Sequence, residues 1–200
     1  MDYNRLCLGC FKENKSGMAV CPYCGFEEKS YNEQAVKKMC LPAGTILQGR
    51  YLIGKVLGAG GFGITYLAFQ MNLNRVVAIK ELFPADVVMR SGQTSSTGLD
   101  FKLKVSGAGS MKLFEKTLSG FETEGQNLAS INLPGVVGIY DCFRDNSTAY
   151  LVMEYVSGQN LKEYQKEHGG RLKEKELLDL LEPVIRSMAT IHDIISADRI

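Results

Sequence analysis

The sequence predicts an α+β fold, and three observations support the prediction. Short runs of β-branched and aromatic residues flank a glycine-rich turn, which predicts strands joined by a hairpin. Later in the chain, apolar residues recur at intervals of three and four, which predicts amphipathic helices. Two Cys-x-x-Cys pairs near the beginning indicate a small separate unit held together by a metal ion.

The two cysteine pairs are Cys7 with Cys10 and Cys21 with Cys24. Four thiolates on two tight turns suit tetrahedral Zn²⁺, and the spacing resembles a zinc ribbon. Such a site is structural, because a piece of about 25 residues buries too little surface to fold without a staple. Disulfides are the alternative, which we expect less because the sequence shows no secretory signal peptide.

The hairpin is predicted from strand-like runs over Tyr51 to Val56 and Ile64 to Phe69, with Gly58, Gly60 and Gly63 at the turn. Glycines there let the backbone approach another group closely. Lys80 lies in an apolar strand, Val76 to Leu82, where burying a cation is costly unless an anion meets it. A phosphate or a carboxylate would be such an anion. The alternative is an ordinary glycine-rich hairpin beside a snorkelling lysine.

A helix is predicted between Ser110 and Asn132, with an apolar stripe of Phe114, Leu118, Phe121 and Leu128. Glu124 lies on that stripe, whereas Glu122 is turned about 100° from Phe121. Glu124 therefore faces the same way as the stripe. The alternative is that both glutamates are solvated.

Further strands are predicted at Val136 to Phe143 and at Thr148 to Tyr155. The connection from Glu81 to Met111 is long and contains an alternating apolar run, which predicts an inserted strand or hairpin. A short helix should follow Leu161, and a long amphipathic one is indicated from Leu177 to Ile191.

The glycines, with Val77-Ala78-Ile79-Lys80, resemble the nucleotide-binding start of a protein kinase. The phrases Gly61-Phe62-Gly63-Ile64-Thr65-Tyr66 and Lys80-Glu81-Leu82-Phe83-Pro84 resemble a bacterial branch of eukaryotic-type Ser/Thr kinases. The resemblance implies a kinase-like N-lobe, with a five-stranded antiparallel sheet and an αC helix, followed by the first helices of a C-lobe. With the cysteine pairs it divides the chain into a zinc ribbon (1–29), a linker (30–46) and a kinase domain (47–200), whose N-lobe ends at 156 and whose C-lobe is incomplete. The polar residues Glu27 to Met39 indicate a linker or a short helix.

The resemblance also implies that ATP, with Mg²⁺, is the cofactor and that a protein hydroxyl receives the γ-phosphoryl group. Glu124 would pair with Lys80, Met153 would be the gatekeeper, and Glu154, Tyr155 and Val156 would be the hinge. The expected ATP-site residues are Leu57, Gly58, Gly60, Gly61, Phe62, Gly63, Thr65, Ala78, Lys80, Glu124, Met153, Glu154 and Tyr155.

The sequence departs from the family pattern at the catalytic loop. Neither an H-R-D nor a D-F-G motif occurs in the 200 residues. Ile191-His192-Asp193 and the run Ile195 to Ile200 resemble the segments on either side of H-R-D, or are simply the end of a helix. No catalytic residue is therefore identified, and we expect a kinase truncated around the catalytic loop and inactive alone. A non-catalytic, pseudokinase-like binding module and a degenerate gene product are the alternatives.

Charge and hydropathy limit the partners. The net charge of +1 and the balanced charges of the first 29 residues give no electrostatic case for nucleic acid. No run of 18 apolar residues predicts a membrane span. The expected partners are ATP and an unknown protein, and the resemblance implies the cytoplasm.

Overall fold

The computed structural model describes residues 3–14, 18–90, 93–95 and 98–197. They form two compact units. One unit comprises residues 1–126 with 139–155, and the other comprises residues 127–138 with 156–200. The α+β class predicted from the sequence is confirmed.

An antiparallel sheet of six strands forms the centre of the first unit, in the order β1-β2-β3-β4-β10-β9. Five of these strands were predicted, and a two-residue edge strand, β1, is the sixth. Asn146 and Ser147 both adopt positive φ at the turn between β9 and β10, as a two-residue hairpin turn requires. The strands are β1 (Ile46–Leu47), β2 (Tyr51–Gly60), β3 (Gly63–Gln70), β4 (Arg75–Leu82), β9 (Ile139–Asp145) and β10 (Thr148–Glu154).

The long connection after β4 contains two small hairpins, which confirms the predicted insertion. β5 (Val88–Arg90) pairs with β8 (Leu103–Val105), and β6 (Gln93–Ser95) pairs with β7 (Gly98–Asp100). The alternating apolar run is therefore split between two strands.

In the part of the chain that the structure describes, four α-helices accompany the strands: α1 (Glu28–Lys37), α2 (Ala108–Ala129), α3 (Leu161–Glu167) and α4 (Glu174–Ala197). Helix α1 occupies the segment that the sequence suggested as a linker or short helix. It packs on the sheet, because the Tyr31 hydroxyl accepts a 2.6 Å hydrogen bond from the Val56 amide of β2. No described helix is long and apolar enough to cross a membrane.

The two faces of the sheet are covered differently. On one face, Tyr51, Ile53, Tyr66, Ile79 and Val152 are fully buried in the main hydrophobic core. This core also takes in the chain around Leu41 and Leu47, which precedes the first long strand. The opposite face stays partly open along β3, β4 and β10, and the predicted nucleotide residues lie there.

Candidate functional site

The glycine-rich hairpin is formed by β2 and β3, with Gly60 opposite Gly63 and a tip of Gly61 and Phe62. The Phe62 residue is 75% exposed. A Cβ placed on Gly58, Gly60 or Gly61 would meet nothing within 4 Å. None of these three glycines has a positive φ, so neither the backbone conformation nor a contact within the protein requires glycine there. The space they leave suits a close approach by another molecule.

Gly63 differs from the other glycines of the turn. A Cβ there would lie 2.5 Å from the Glu81 carbonyl oxygen and 3.8 Å from the Lys80 Cε. The absence of a side chain at this position therefore lets β3 approach β4 at the point where Lys80 leaves the sheet.

Strand register brings the predicted nucleotide residues onto one face. Thr65 lies opposite Lys80, and Ala78 lies opposite Met153. Thr65, Lys80 and Met153 are only half-buried, and Leu57 at the rim is 40% exposed. This combination of an open, polar-edged face and a glycine-rich turn is what a kinase uses to hold ATP. That these residues bind ATP stays a prediction.

Lys80 and Glu124 do not form the expected ion pair. Among the described residues, no carboxylate lies within 4.0 Å of the Lys80 Nζ, which instead lies 5.7 Å from the centroid of the Phe121 ring. Glu124 is exposed. The stripe of α2 that meets the sheet continues from Phe121 to Gly125, where a Cβ would lie 2.3 Å from Leu151. Because Phe121 and Gly125 share the face that meets the sheet, Glu124 lies to the side of that face.

Glu122 has a partner that the sequence analysis did not anticipate. Its carboxylate accepts two hydrogen bonds from the Arg144 guanidinium of β9, one of 2.6 Å from Nε and one from Nη2. The hydrogen bond from Arg144 lowers the pKa of Glu122. The pair ties α2 to the far edge of the sheet.

The predicted hinge follows β10, which ends at Glu154. Glu154 is exposed, and Tyr155 packs beside a second apolar cluster that includes Leu52, Leu67 and Phe69. That cluster also contains residues of the cysteine-rich segment, so this segment lies beside the hinge.

The four cysteines of the paired motifs come together. Their sulfur atoms all lie within 4.8 Å of one another, with 3.6 Å between Cys7 and Cys24 and 3.9 Å between Cys10 and Cys21. Zinc–sulfur bonds of about 2.3 Å in a tetrahedron place the sulfurs about 3.8 Å apart, so the cluster fits the ion. The separations are far longer than the bond of about 2.05 Å in a disulfide, and all four thiols are free.

Two matching turns present these sulfurs. The Cys7 carbonyl accepts hydrogen bonds from the Cys10 and Phe11 amides, and the Cys21 carbonyl accepts one from the Gly25 amide. Gly25 has a φ of +69°, which closes the second turn. Burial raises the pKa of Cys7 to about 12. At Cys21 burial also acts to raise the pKa, but hydrogen bonds from the Tyr23 and Cys24 backbone and from neighbouring thiols together lower it to about 7. An ion here would replace the protons of the buried thiols.

A buried ion pair adjoins Lys80 on the opposite face of the sheet, and sequence reasoning missed it. The Glu81 carboxylate accepts hydrogen bonds of 2.6 Å from Arg90, 2.7 Å from Tyr150 and 2.8 Å from Tyr66. Burial raises the pKa of both tyrosines, which keeps them as donors. The signal in the sequence was a glutamate inside the apolar strand Val76 to Leu82 and, nine residues later, an arginine directly after three apolar residues.

The catalytic-loop hypothesis is only partly within the described residues. Ile191 and His192 lie in α4, which extends to Ala197. Asp198, Arg199 and Ile200 lie outside the described part of the chain, so the proposed match to the segment after H-R-D stays a prediction.

The chain is similar to known kinases along most of its length. A model of the protein kinase domain matches residues 51–195. The serine/threonine-protein kinase PrkC of Bacillus subtilis is 32% identical over 149 residues, which cover 74% of this chain and 19% of PrkC. The serine/threonine-protein kinase PknA of Mycobacterium tuberculosis is 29% identical over 154 residues, 74% of this chain and 30% of PknA.

Solved structures agree with these similarities. The apo form of PpkA-294 has a TM-score of 0.68 at 31% identity and covers 76% of this chain. The kinase domain of PknI from Mycobacterium tuberculosis has a TM-score of 0.55 at 18% identity, covers 77% of this chain, and shows a common fold. This chain spans about half of each of these structures and less than a third of PrkC and PknA. Because the kinase model matches well over half of the residues, the chain belongs to the protein kinase domain family.

Proposed function

We propose that this chain is the ATP-binding portion of a bacterial Ser/Thr protein kinase that works in the cytoplasm. The observation that supports this most is the open face bearing Thr65, Lys80 and Met153 beside a turn whose glycines leave room for a ligand. Gly58 to Gly63 would cover the phosphates of ATP, Lys80 would contact the α- and β-phosphates, and the backbone at Glu154 to Val156 would hold the adenine.

In a complete kinase of this family, Mg²⁺ would bridge the phosphates and a protein hydroxyl would receive the γ-phosphoryl group. The residues that orient the hydroxyl and hold Mg²⁺ belong to the H-R-D and D-F-G segments, which do not occur in these 200 residues. The isolated chain should therefore bind nucleotide without transferring phosphate. Phosphorylation of myelin basic protein by the purified chain with Mg·ATP would contradict this part of the proposal.

Nucleotide binding is tested by titrating the chain with a fluorescent ADP analogue and Mg²⁺. Replacing Lys80 by methionine keeps the apolar stem and removes the charge, so affinity should fall by about tenfold or more. The matched control is Lys104→Met, because Lys104 is exposed on β8. If the unaltered chain binds no nucleotide at millimolar concentration, the proposal is wrong.

The second candidate is a pseudokinase-like module that binds nucleotide or a partner protein without catalysis. It is favoured by one observation: Glu124 is exposed and Lys80 has no carboxylate partner among the described residues. Adding Mg·ATP should draw Glu124 to Lys80 in a catalytic kinase. Nucleotide affinity that is unchanged in Glu124→Gln would favour the pseudokinase.

We also propose that Cys7, Cys10, Cys21 and Cys24 hold one structural Zn²⁺. The chemistry of four thiolates at these separations supports this ion over Mg²⁺ or Ca²⁺, which prefer oxygen. Elemental analysis should find one zinc per chain. Cys10→Ser should lose it, whereas Cys142→Ser, a cysteine outside the cluster, should retain it.

A further inference from the structure

Strand β2 carries a bulge between the cysteine cluster and the glycine-rich turn. Ile53 lies opposite Ala68, but the next matched pair is Val56 with Tyr66, so β2 has one extra residue at Gly54 and Lys55. The Lys55 amide donates a 3.0 Å hydrogen bond to the carbonyl of Leu8, between Cys7 and Cys10. The cysteine-rich segment thus takes the place of a strand partner at the point where pairing with β3 is interrupted.

The fit between the two segments is close. A Cβ on Gly54 would lie 2.3 Å from the Leu8 oxygen and 2.9 Å from the ring of Phe11. Gly54 does not have a positive φ, so its own backbone conformation does not require glycine. The approach of the first cysteine turn is the main reason that a side chain is excluded there, and the Leu67 carbonyl oxygen of β3, at 3.1 Å, adds to the crowding.

Apolar packing extends this contact toward the nucleotide site. Phe11 follows Cys10 directly, is 6% exposed, and its ring centroid lies 5.5 Å from that of Phe69. The same cluster includes Leu6, Leu52 and Leu67, with Tyr155 of the predicted hinge at its edge. The contacts therefore reach Tyr155 of the predicted hinge and, through Leu52, the strand β2 that also carries Leu57 and Gly58.

We propose that metal binding at the four cysteines tightens nucleotide binding through the β2 bulge; this inference rests on the proposed nucleotide site. Without the ion, a segment this short has too small a core to stay folded. Its unfolding withdraws the Leu8 carbonyl and the Phe11 ring, and β2 then loses order up to the glycine-rich turn. Nucleotide must restore that order on binding, which lowers its affinity.

The coupling must be reciprocal, because both ligands act on one equilibrium. We expect the zinc-loaded chain to bind a fluorescent ADP analogue with Mg²⁺ about tenfold more tightly than the chelator-treated chain, a factor typical of coupled sites. Nucleotide should raise the zinc affinity, measured by competition with a chromophoric chelator, by the same factor.

The structure provides a variant that separates metal binding from coupling. Gly54→Ala leaves all four cysteines in place but forces the first turn away from β2, so zinc should still bind one to one while nucleotide affinity no longer depends on it. Gly120→Ala is the matched control, because a Cβ at Gly120 meets nothing within 4 Å. The control should keep the tenfold dependence.

Hydrogen exchange on the unaltered chain tests the inference even if Gly54→Ala fails to fold. Removing zinc should speed exchange at the Lys55 amide and along β2, while β10 stays protected. If β2 keeps its protection, or if nucleotide binds equally with and without zinc, the inference is wrong and the nucleotide site stands. If neither form binds nucleotide, the proposed function itself fails.

Discussion

Replacing Arg90 by methionine should destabilise the first unit by about 4 to 6 kcal/mol. The Arg90 side chain is 3% exposed and that of Glu81 is fully buried. Besides its bond to Glu81, the guanidinium donates to the carbonyls of Met39, at 2.8 Å, and Phe101, at 2.6 Å. Arg90 therefore joins the chain before the sheet, β4 and the inserted hairpin.

The magnitude follows from what the substitution leaves behind. A buried charge that loses its partner costs about 3 to 5 kcal/mol. Two carbonyls also lose their donor, at about 1 to 3 kcal/mol each when water cannot replace it. Because 9% of Arg90 is exposed, we assume that water replaces the lost donor at one carbonyl. For the other carbonyl we add the lower value, about 1 kcal/mol. The loss is comparable to the 5 to 15 kcal/mol that typically stabilises a domain.

The assay is urea denaturation followed by the tyrosine signal in near-ultraviolet circular dichroism, since the chain has no tryptophan. The double variant Arg90→Met with Glu81→Gln should recover about 2 kcal/mol, because it removes the unpaired buried charge, while the amide oxygen still accepts from one tyrosine and the amide NH2 can donate to the hydroxyl of the other. The control is Arg5→Met, which breaks an exposed ion pair with Glu13 and should cost less than about 1 kcal/mol. A cost below 1 kcal/mol for Arg90→Met, or no recovery in the double variant, would refute the reasoning.

Two further predictions concern α2. Gly125→Ala should lower stability by about 1 to 3 kcal/mol, because the new Cβ would lie 2.3 Å from buried Leu151. Gly120→Ala, at an open helix position, should raise it by up to about 1 kcal/mol, and equal thermal melting temperatures for the two variants would contradict this placement of α2. For Arg144→Gln, the lowered pKa of Glu122 means that the pair stabilises the fold above the ordinary carboxyl pKa and ceases to do so as acid protonates Glu122. The variant should therefore melt below the parent chain at pH 7 and with it near pH 2, and a difference that persists in acid would show another origin.

The sequence predicted the hairpin and the cysteine cluster correctly because both depend on local spacing. The turn at Gly61 and Phe62 lies between two strands that pair with each other, and each cysteine turn closes within four residues. Such features need no knowledge of distant contacts.

The position of Glu124 could not be predicted in the same way. The rotation of α2 about its axis decides which of its residues face the sheet. In the structure Gly125 faces the sheet and lies against Leu151. A glycine in a helix adds nothing to an apolar pattern. The pattern therefore predicts that Glu124, and not Gly125, lies on the face of α2 that meets the sheet. The packing of the first cysteine turn on β2 could not be predicted for a similar reason, because nothing in the sequence distinguishes Gly54 from any other glycine in a strand.

The folded unit of this protein begins before the residues that match the kinase family. Matching to the kinase model begins at residue 51. Yet Leu41 and Leu47, both fully buried, precede it, and the Leu41 amide donates a 3.0 Å hydrogen bond to the Tyr66 hydroxyl beside Glu81. A protein trimmed to its recognisable domain would therefore present the aromatic face of its sheet to solvent. A version of this chain that begins at residue 51 should therefore aggregate.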